Sequence, residues 1–481
     1  MEYTLKKPKL RKRLRQAKQV KRIDSFSRLP DELIVSNILS RFTLEEVARY
    51  SILSRRWKNL WGCTIGSKLI FAPEHLRTIH VGDITELLNP DRVGQLRPRY
   101  HPTESIDNRV ERLRACFERW ISNVMQAYSM PKLDELTVRF PFDFSTSDSI
   151  DMWLECALKK GVTRLELNLC RWTLKSPAGL YSFPKLERFQ GMLANCGGLY
   201  NLKDVELKYI YVYSDVIELM VTHFPLERLC MEGSCSGKIS IVSDSLKRLE
   251  LIKCHIDLKI SASSLISLKY TGPENSLHLD HVPNLSELSV DGVFCRTFVP
   301  SCFLNSGYIS GLKTLEFEMS VEAVRESMNY PLEFPETLKL EELKIGLRGD
   351  KDACFLWPVL LIQAAPFLRK FSVVKQRMVP SSALDRPNPL YHERVINIRS
   401  AATRVRHHQC LKTIELQDYY GSCPKESELV QHLLCVSEIL EQIIVSPTNI
   451  CPPYKISVIR SKAEALTSWL PSSSKAKLIV L

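Results

Sequence analysis

At 481 residues the chain is longer than one compact core usually spans, and its 44% apolar and 25% charged residues are those of ordinary folded protein, which excludes wholesale disorder. Of the formal net charge of +12, residues 1–22 hold ten Lys/Arg against one Glu, so the remainder is close to neutral and no general grip on nucleic-acid phosphate is expected there. Fifteen cysteines, without a C-x-x-C pair and with Cys63, Cys116, Cys156 and Cys170 at spacings that suit neither zinc nor a disulfide lattice, read as reduced thiols, and no apolar run reaches a membrane span.

The stretch KKPKLRKRLRQAKQVKR, Lys6 to Arg22, is a like-charge block too poor in apolar residues to pack, and reads as a solvated arm. Within it Lys6, Lys7, Lys9, Arg11, Lys12 and Arg13 form a basic cluster of the kind an import receptor holds in an acidic groove. A plain tail or an accessory RNA contact are the alternatives. The expected location is the nucleus, the cytoplasm or both.

Residues Arg28 to Trp61, RLPDELIVSNILSRFTLEEVARYSILSRRWKNLW, read as three short helices. Pro30 suits a first turn, with Asp31 and Glu32 beside the positive end of the dipole and Leu33, Ile34 and Ile38 as an apolar stripe. Thr43 and Glu46 form a capping box for a second helix carrying Leu44, Val47 and Ala48. On the third, Leu53, Trp57, Leu60 and Trp61 share one face, Arg55 and Lys58 point away, and Arg56 borders the stripe. A helix that reads a DNA groove would present its polar side instead. A unit of about forty residues rarely buries two indoles of roughly 150–250 Å² each, so a partner or the rest of the chain must cover them.

Leu29-Pro30-Asp31-Glu32 and Leu53-Ser54-Arg55-Arg56-Trp57-Lys58-Asn59-Leu60-Trp61 together resemble the F-box of plant F-box proteins, although Phe42-Thr43 stand where that family usually has Leu-Pro. The resemblance implies three interlocking helices that dock a Skp-family adaptor and, through it, a cullin and RING ubiquitin ligase. It further implies that Leu29, Pro30, Leu33, Ile38, Leu39, Val47, Leu53, Trp57 and Leu60 contribute to docking.

Residues 67–130 read as a linker and a helical cap, the helix placing Val110, Leu113, Phe117, Trp120 and Val124 along one side. From Ser149 to Leu167 the pattern is helix, a Gly161 stop, then strand. From residue 131 a phrase recurs, among its copies PKLDELTV, GVTRLEL, PLERLCM, SLKRLEL, NLSELSV, GLKTLEF and KLEELKI. Apolar residues fall at i, i+3 and i+5, the core of a leucine-rich repeat, and copies beginning at Leu226, Leu246, Leu265, Leu285, Leu312, Leu340 and Leu368 are spaced at 19–20 and then 27–28 residues. Cys170 and Cys254 extend two copies to L-x-L-x-x-C, where the cysteine bonds the turn backbone. Outward positions carry Arg139, Asn168, Lys208, Glu250, Asp291, Glu316 and Lys344, mixed in sign, which favours a protein ligand over nucleic acid. After a long loop, Cys410 to Val445 reads as strand, a helix with Leu429, Leu433 and Val436, and a closing strand. This region resembles the FBD segment that ends many plant F-box and leucine-rich-repeat proteins.

Two further signals fail on context. MEGSCSGKIS, Met231 to Ser240, lacks the spacing of a phosphate loop and the partners of a nucleophile elbow, so its glycines read as a turn between repeats. His407, His408 and Cys410 lack a second ligand pair and read as surface loop.

The predicted fold class is α/β: a basic arm (1–22), a short F-box (23–66), a linker with helical cap (67–130), an irregular leucine-rich-repeat solenoid (131–405) and an FBD-like α/β cap (406–481). The expected function is substrate recognition in a Skp-cullin-F-box ligase, non-catalytic and without cofactor or metal. Its partners would be the adaptor and a protein target, not nucleic acid or membrane. A repeat scaffold outside ubiquitination and a nuclear, nucleic-acid-associated regulator using the basic arm are the alternatives.

Overall fold

A computed structural model describes residues 29–34, 37, 56, 67–72, 106–128, 130–169, 181–196, 200–233, 236–272, 277–291, 311–320, 339–348, 362, 365–376, 408–419, 439–447, 457, 460, 461, 463–466 and 476–480. Seventeen strands are described: β1 Lys68–Phe71, β2 Glu135–Arg139, β3 Arg164–Asn168, β4 Asp204–Lys208, β5 Arg228–Glu232, β6 Ser236–Val242, β7 Arg248–Ile252, β8 His255–Ser261, β9 Ser267–Thr271, β10 Leu277–His281, β11 Glu287–Asp291, β12 Thr314–Ser320, β13 Glu342–Arg348, β14 Lys370–Gln376, β15 Thr413–Tyr419, β16 Gln442–Pro447 and β17 Lys477–Val480. All but β6, β8 and β10 form one parallel sheet of fourteen strands in chain order.

The period-2 phrase explains that sheet. Leu136, Leu165, Val205 and Leu229 begin an inward row that continues in register through Leu249, Leu268, Leu288, Leu315, Leu343, Phe371 and Ile414 to Ile443. None of these is more than 5% exposed. Each short strand stacks its apolar residues on the next, so the core is continuous although no single repeat could form one. Turn carbonyls fix the register: Asp134 accepts from the amides of Thr163 and Arg164, and Thr163 in turn from Lys203 and Asp204.

Repeat length decides what lies on the other side. Helices α1 Ile106–Ala127, α2 Ser147–Lys159, α3 Leu186–Ala194 and α4 Ser214–His223 precede β2, β3, β4 and β5 in turn. From β5 to β11 the main strands begin at Arg228, Arg248, Ser267 and Glu287, and there β6, β8 and β10 form a second, three-stranded parallel sheet in place of helices. A strand covers about 3.3 Å per residue and a helix about 1.5 Å, so a repeat of about twenty residues completes its circuit only with an extended return segment. At the edge of the small sheet, the Glu218 carboxylate of α4 accepts from the Ser240 amide at 2.7 Å.

Several local expectations are met. Gly161 adopts φ +66°, with its amide bonded to Leu158 O at 3.0 Å and that of Val162 to Ala157 O at 3.2 Å, a Schellman stop for α2. Gly161→Ala is expected to destabilise the fold by about 1 kcal/mol, read as a lowered urea midpoint with unchanged slope. Gly233, at φ +85°, turns the chain out of β5. Cys254 is 1% exposed and its Sγ lies 3.5 Å from Ile252 O and 3.9 Å from Met231 O, on the turn backbone as the L-x-L-x-x-C pattern implies. Cys170 lies outside the described residues.

The strand β1 and the setting of His408 depart from the sequence reading, whereas the inward apolar side of α1 and the strands β15 and β16 of the carboxyl end agree with it. The stretch expected as linker and cap contains β1, which extends the main sheet by pairing with β2. Helix α1 then packs inward: Phe117 stacks on Phe140 at 4.2 Å, and Trp120 meets Phe71 edge-on at 5.0 Å. His408 is not at the surface but 7% exposed. Its Nδ1 accepts from the amides of Cys410 and Leu411 at 3.2 and 3.0 Å, which leaves Nε2 to donate to Ala365 O at 2.8 Å. Ser243 does the same before β7, its Oγ accepting from the Ser245 and Leu246 amides. Both side chains hold the turn that feeds a strand. At the carboxyl end β15, β16 and β17 continue the main sheet; the helix expected through Leu429, Leu433 and Val436 lies outside the described residues.

Candidate partner-binding surfaces

Two surfaces were singled out from sequence: the apolar face near the amino end and the outward face of the repeat sheet. Near the amino end, Asp31–Leu33 is a helical turn entered at Pro30, whose carbonyl accepts from the Ile34 amide at 3.2 Å. Ile34 is fully buried in the main hydrophobic core, and Leu29 packs against that core while partly buried. Leu33 is 45% exposed and Pro30 also faces solvent. The stripe read from sequence is therefore divided, with Ile34 as the anchor and Leu33 presented outward. Ile38, Leu39, Val47, Leu53, Trp57 and Leu60 lie outside the described residues, as do Trp61 and the basic cluster Lys6, Lys7, Lys9, Arg11, Lys12 and Arg13.

A contact that pattern reading did not supply joins this turn to Arg56. Its guanidinium donates from Nε to Asp31 Oδ1 at 2.8 Å, and from Nη2 to the Leu29 carbonyl. The two residues stand 25 apart, and opposite charge was the only sequence signal for the pair.

On the outward face, acidic and basic side chains are interspersed and pair both within and across strands. Arg139 grips Glu166 through two bonds of 2.5 and 3.0 Å, and Lys208 meets Glu206 at 2.8 Å. Arg164 reaches Glu135 at 3.3 Å, Glu166 at 3.5 Å and Asp204 at 3.0 Å. Arg228 reaches Asp204 at 3.1 Å, Glu206 at 3.0 Å and Glu250 at 3.5 Å. A single lattice thus runs from β2 to β7 with Asp204 shared between two arginines. Farther along, Glu316 pairs with Lys344 at 2.7 Å. In some strands flanking side chains cover the middle outward position, so Thr137, Glu166 and Ser372 are buried although they belong to the outward row, while Lys269 of β9 stays exposed.

The electrostatics follow from that geometry. Burial opposes the charge on Glu206, but hydrogen bonds and attraction from Lys208 and Arg228 outweigh it and hold the carboxyl below its usual range. For Cys230, burial and then the neighbouring Glu250 and Glu206 push the thiol up to about 12. It is 1% exposed and protonated, which makes it a packing residue and not a nucleophile. Among the described residues no group of three or more His, Cys, Asp or Glu is arranged to hold a metal ion, and no helix is long and apolar enough to cross a membrane.

Two stretches of the chain match models of known protein families. Residues 124–478 match the family model described as At1g61320/AtMIF1, LRR domain, and residues 26–62 match that of the F-box domain. Similar proteins of Arabidopsis thaliana include the F-box/LRR-repeat protein At5g38396, 28% identical over 41% of this chain and 40% of its own length. The F-box protein At3g59000 is 30% identical over 48% of this chain and 44% of its own length. The F-box/FBD/LRR-repeat protein At1g13570 is 22% identical over 88% of this chain and 91% of its own length. The matched region therefore spans less than half of the first two relatives and most of the third.

Proposed function

From a chain that belongs to the leucine-rich-repeat family described by At1g61320/AtMIF1 and carries an F-box domain, we infer a substrate-recognition subunit of a Skp-cullin-F-box ubiquitin ligase. The observation that carries this reading is the F-box match at residues 26–62, joined to a turn that buries Ile34 and leaves Pro30 and Leu33 outward. Those two residues, with Leu29 and with Ile38, Leu39, Val47, Leu53, Trp57 and Leu60, form the adaptor-facing set. The arc of repeats holds a protein target. A mixed-sign, internally paired outward face suits a folded or extended polypeptide better than a polyphosphate backbone.

The subunit works by proximity: it raises the local concentration of a target lysine near a ubiquitin-charged enzyme supplied by other subunits. It contributes no catalytic residue. Lys6, Lys7, Lys9, Arg11, Lys12 and Arg13 serve nuclear import in this reading, which places the complex in nucleus and cytoplasm.

Capture of the tagged chain from cells tests the reading. Wild type is expected to retain an adaptor, a cullin and ubiquitin-modified partners, and Trp57→Ala with Leu60→Ala to lose the adaptor and cullin at least about tenfold while keeping its target. Equal recovery of adaptor by both would count against the docking assignment; recovery of partners without any ligase component would favour the scaffold alternative.

A further inference from the structure

Resting on the adaptor-docking reading above, we propose that Arg56 is a positioning residue: it ties the Leu29–Leu33 turn to a part of the F-box region 25 residues on, and adaptor docking depends on that tie. Its guanidinium reaches two acceptors on the turn, Asp31 Oδ1, at 2.8 Å from Nε and 2.5 Å from Nη2, and the carbonyl of Leu29. That carbonyl lies before the first turn and outside the helical ladder, where the Pro30 carbonyl already serves Ile34, so it needs a partner from elsewhere. Arg56 supplies it.

The location gives the contact its consequence. Asp31 lies between Pro30 and Leu33, and Arg56 immediately precedes Trp57 and follows Leu53 by three residues. One clamp therefore ties together the two stretches from which most of the docking residues come. The side chains of Arg56 and Asp31 are 34% and 59% exposed, so solvent weakens their attraction as a charge pair. What remains is geometric: a planar fork that bonds a carboxylate and a carbonyl at once, which a lysine cannot reproduce. Ile34 fixes one end of the turn in the core, and Arg56 fixes the other.

The test is the affinity of the full chain for a Skp-family adaptor, measured for wild type, Arg56→Met, Arg56→Lys, Asp31→Asn and the Arg56→Met, Asp31→Asn double variant, each checked for an unchanged melting curve. Arg56→Met is expected to weaken binding about tenfold, Arg56→Lys to recover only part of that, and Asp31→Asn to weaken it about threefold. Because the residues act through one another, the double variant should bind about as well as Arg56→Met alone. Full binding by Arg56→Met, complete rescue by lysine, or strictly additive losses in the double variant would each overturn the clamp while leaving the docking reading standing. Failure of the wild type to bind any Skp-family adaptor would overturn both.

Discussion

Trp153→Ala is expected to destabilise the amino-terminal repeats by about 4 kcal/mol, the largest effect of any single truncation considered for this fold. Trp153, on α2, is fully buried. Its indole lies 5.5 Å from Phe142, and its Nε1 donates to Ser122 Oγ of α1 at 3.1 Å. Alanine would open a cavity between two helices and the sheet and leave the Ser122 hydroxyl without this partner. Since each repeat rests only on its neighbours, the loss should be local first: urea unfolding followed by circular dichroism should split, with an early transition from the amino-terminal repeats. A single transition shifted by less than about 1 kcal/mol would show that α2 does not hold this end of the solenoid together.

Arg228→Met should lower stability by about 2 kcal/mol at pH 7, and the deficit should shrink on acidification. Arg228 is 24% exposed and stands among Asp204, Glu206 and Glu250. Without it those carboxylates face one another across β4, β5 and β7, with Lys208 the counter-charge left beside Glu206. The sign follows from the wild type. Glu206 titrates below its ordinary 4.5 when folded, so its contribution is complete above that value and is lost as the pH falls through the depressed one. Removing Arg228 removes much of the depression, and the variant therefore has less to lose in acid. Urea midpoints of both proteins between pH 7 and about pH 3.5 should converge. A constant gap would mean that Arg228 acts through packing alone.

Much of this architecture is written in the sequence because it repeats. Leu165 and Leu167, or Leu249 and Leu251, announce a strand, its inward face and its place in the stack, since a two-residue period has one way to bury both leucines. Cys254 and Gly161 were legible for the same reason: each stands at a fixed offset from a pattern and meets a backbone requirement there. The strand β1 was not, since Leu69 and Phe71 alone are too short an alternation to stand out. Nor did the pattern show that short repeats return as strands, because the requirement is one of circuit length and not of residue type.

Contacts between distant residues were the least legible. Tyr181 donates to Asp151 at 2.5 Å and the half-exposed Arg188 pairs with the same buried carboxylate at 2.7 Å, joining α2 to α3 across more than thirty residues. Burial raises the Asp151 carboxyl against the bonds from Tyr181 and Arg188 that favour its charge, and nothing in the sequence near Asp151 announces it. The Arg164 and Arg228 lattice and the Arg56 clamp are of the same kind. Near the amino end, sequence supplied the apolar residues, whereas the structure separated the buried Ile34 from the outward Leu33.

The central claim is that a second polypeptide covers the apolar face at the amino end, and calorimetric titration of the full chain with a purified Skp-family adaptor addresses it directly. A saturable one-to-one complex is expected, with Kd below about 1 µM and a large negative heat-capacity change, the mark of apolar surface leaving water. Absence of binding up to about 100 µM adaptor, with the repeats folded, would contradict it.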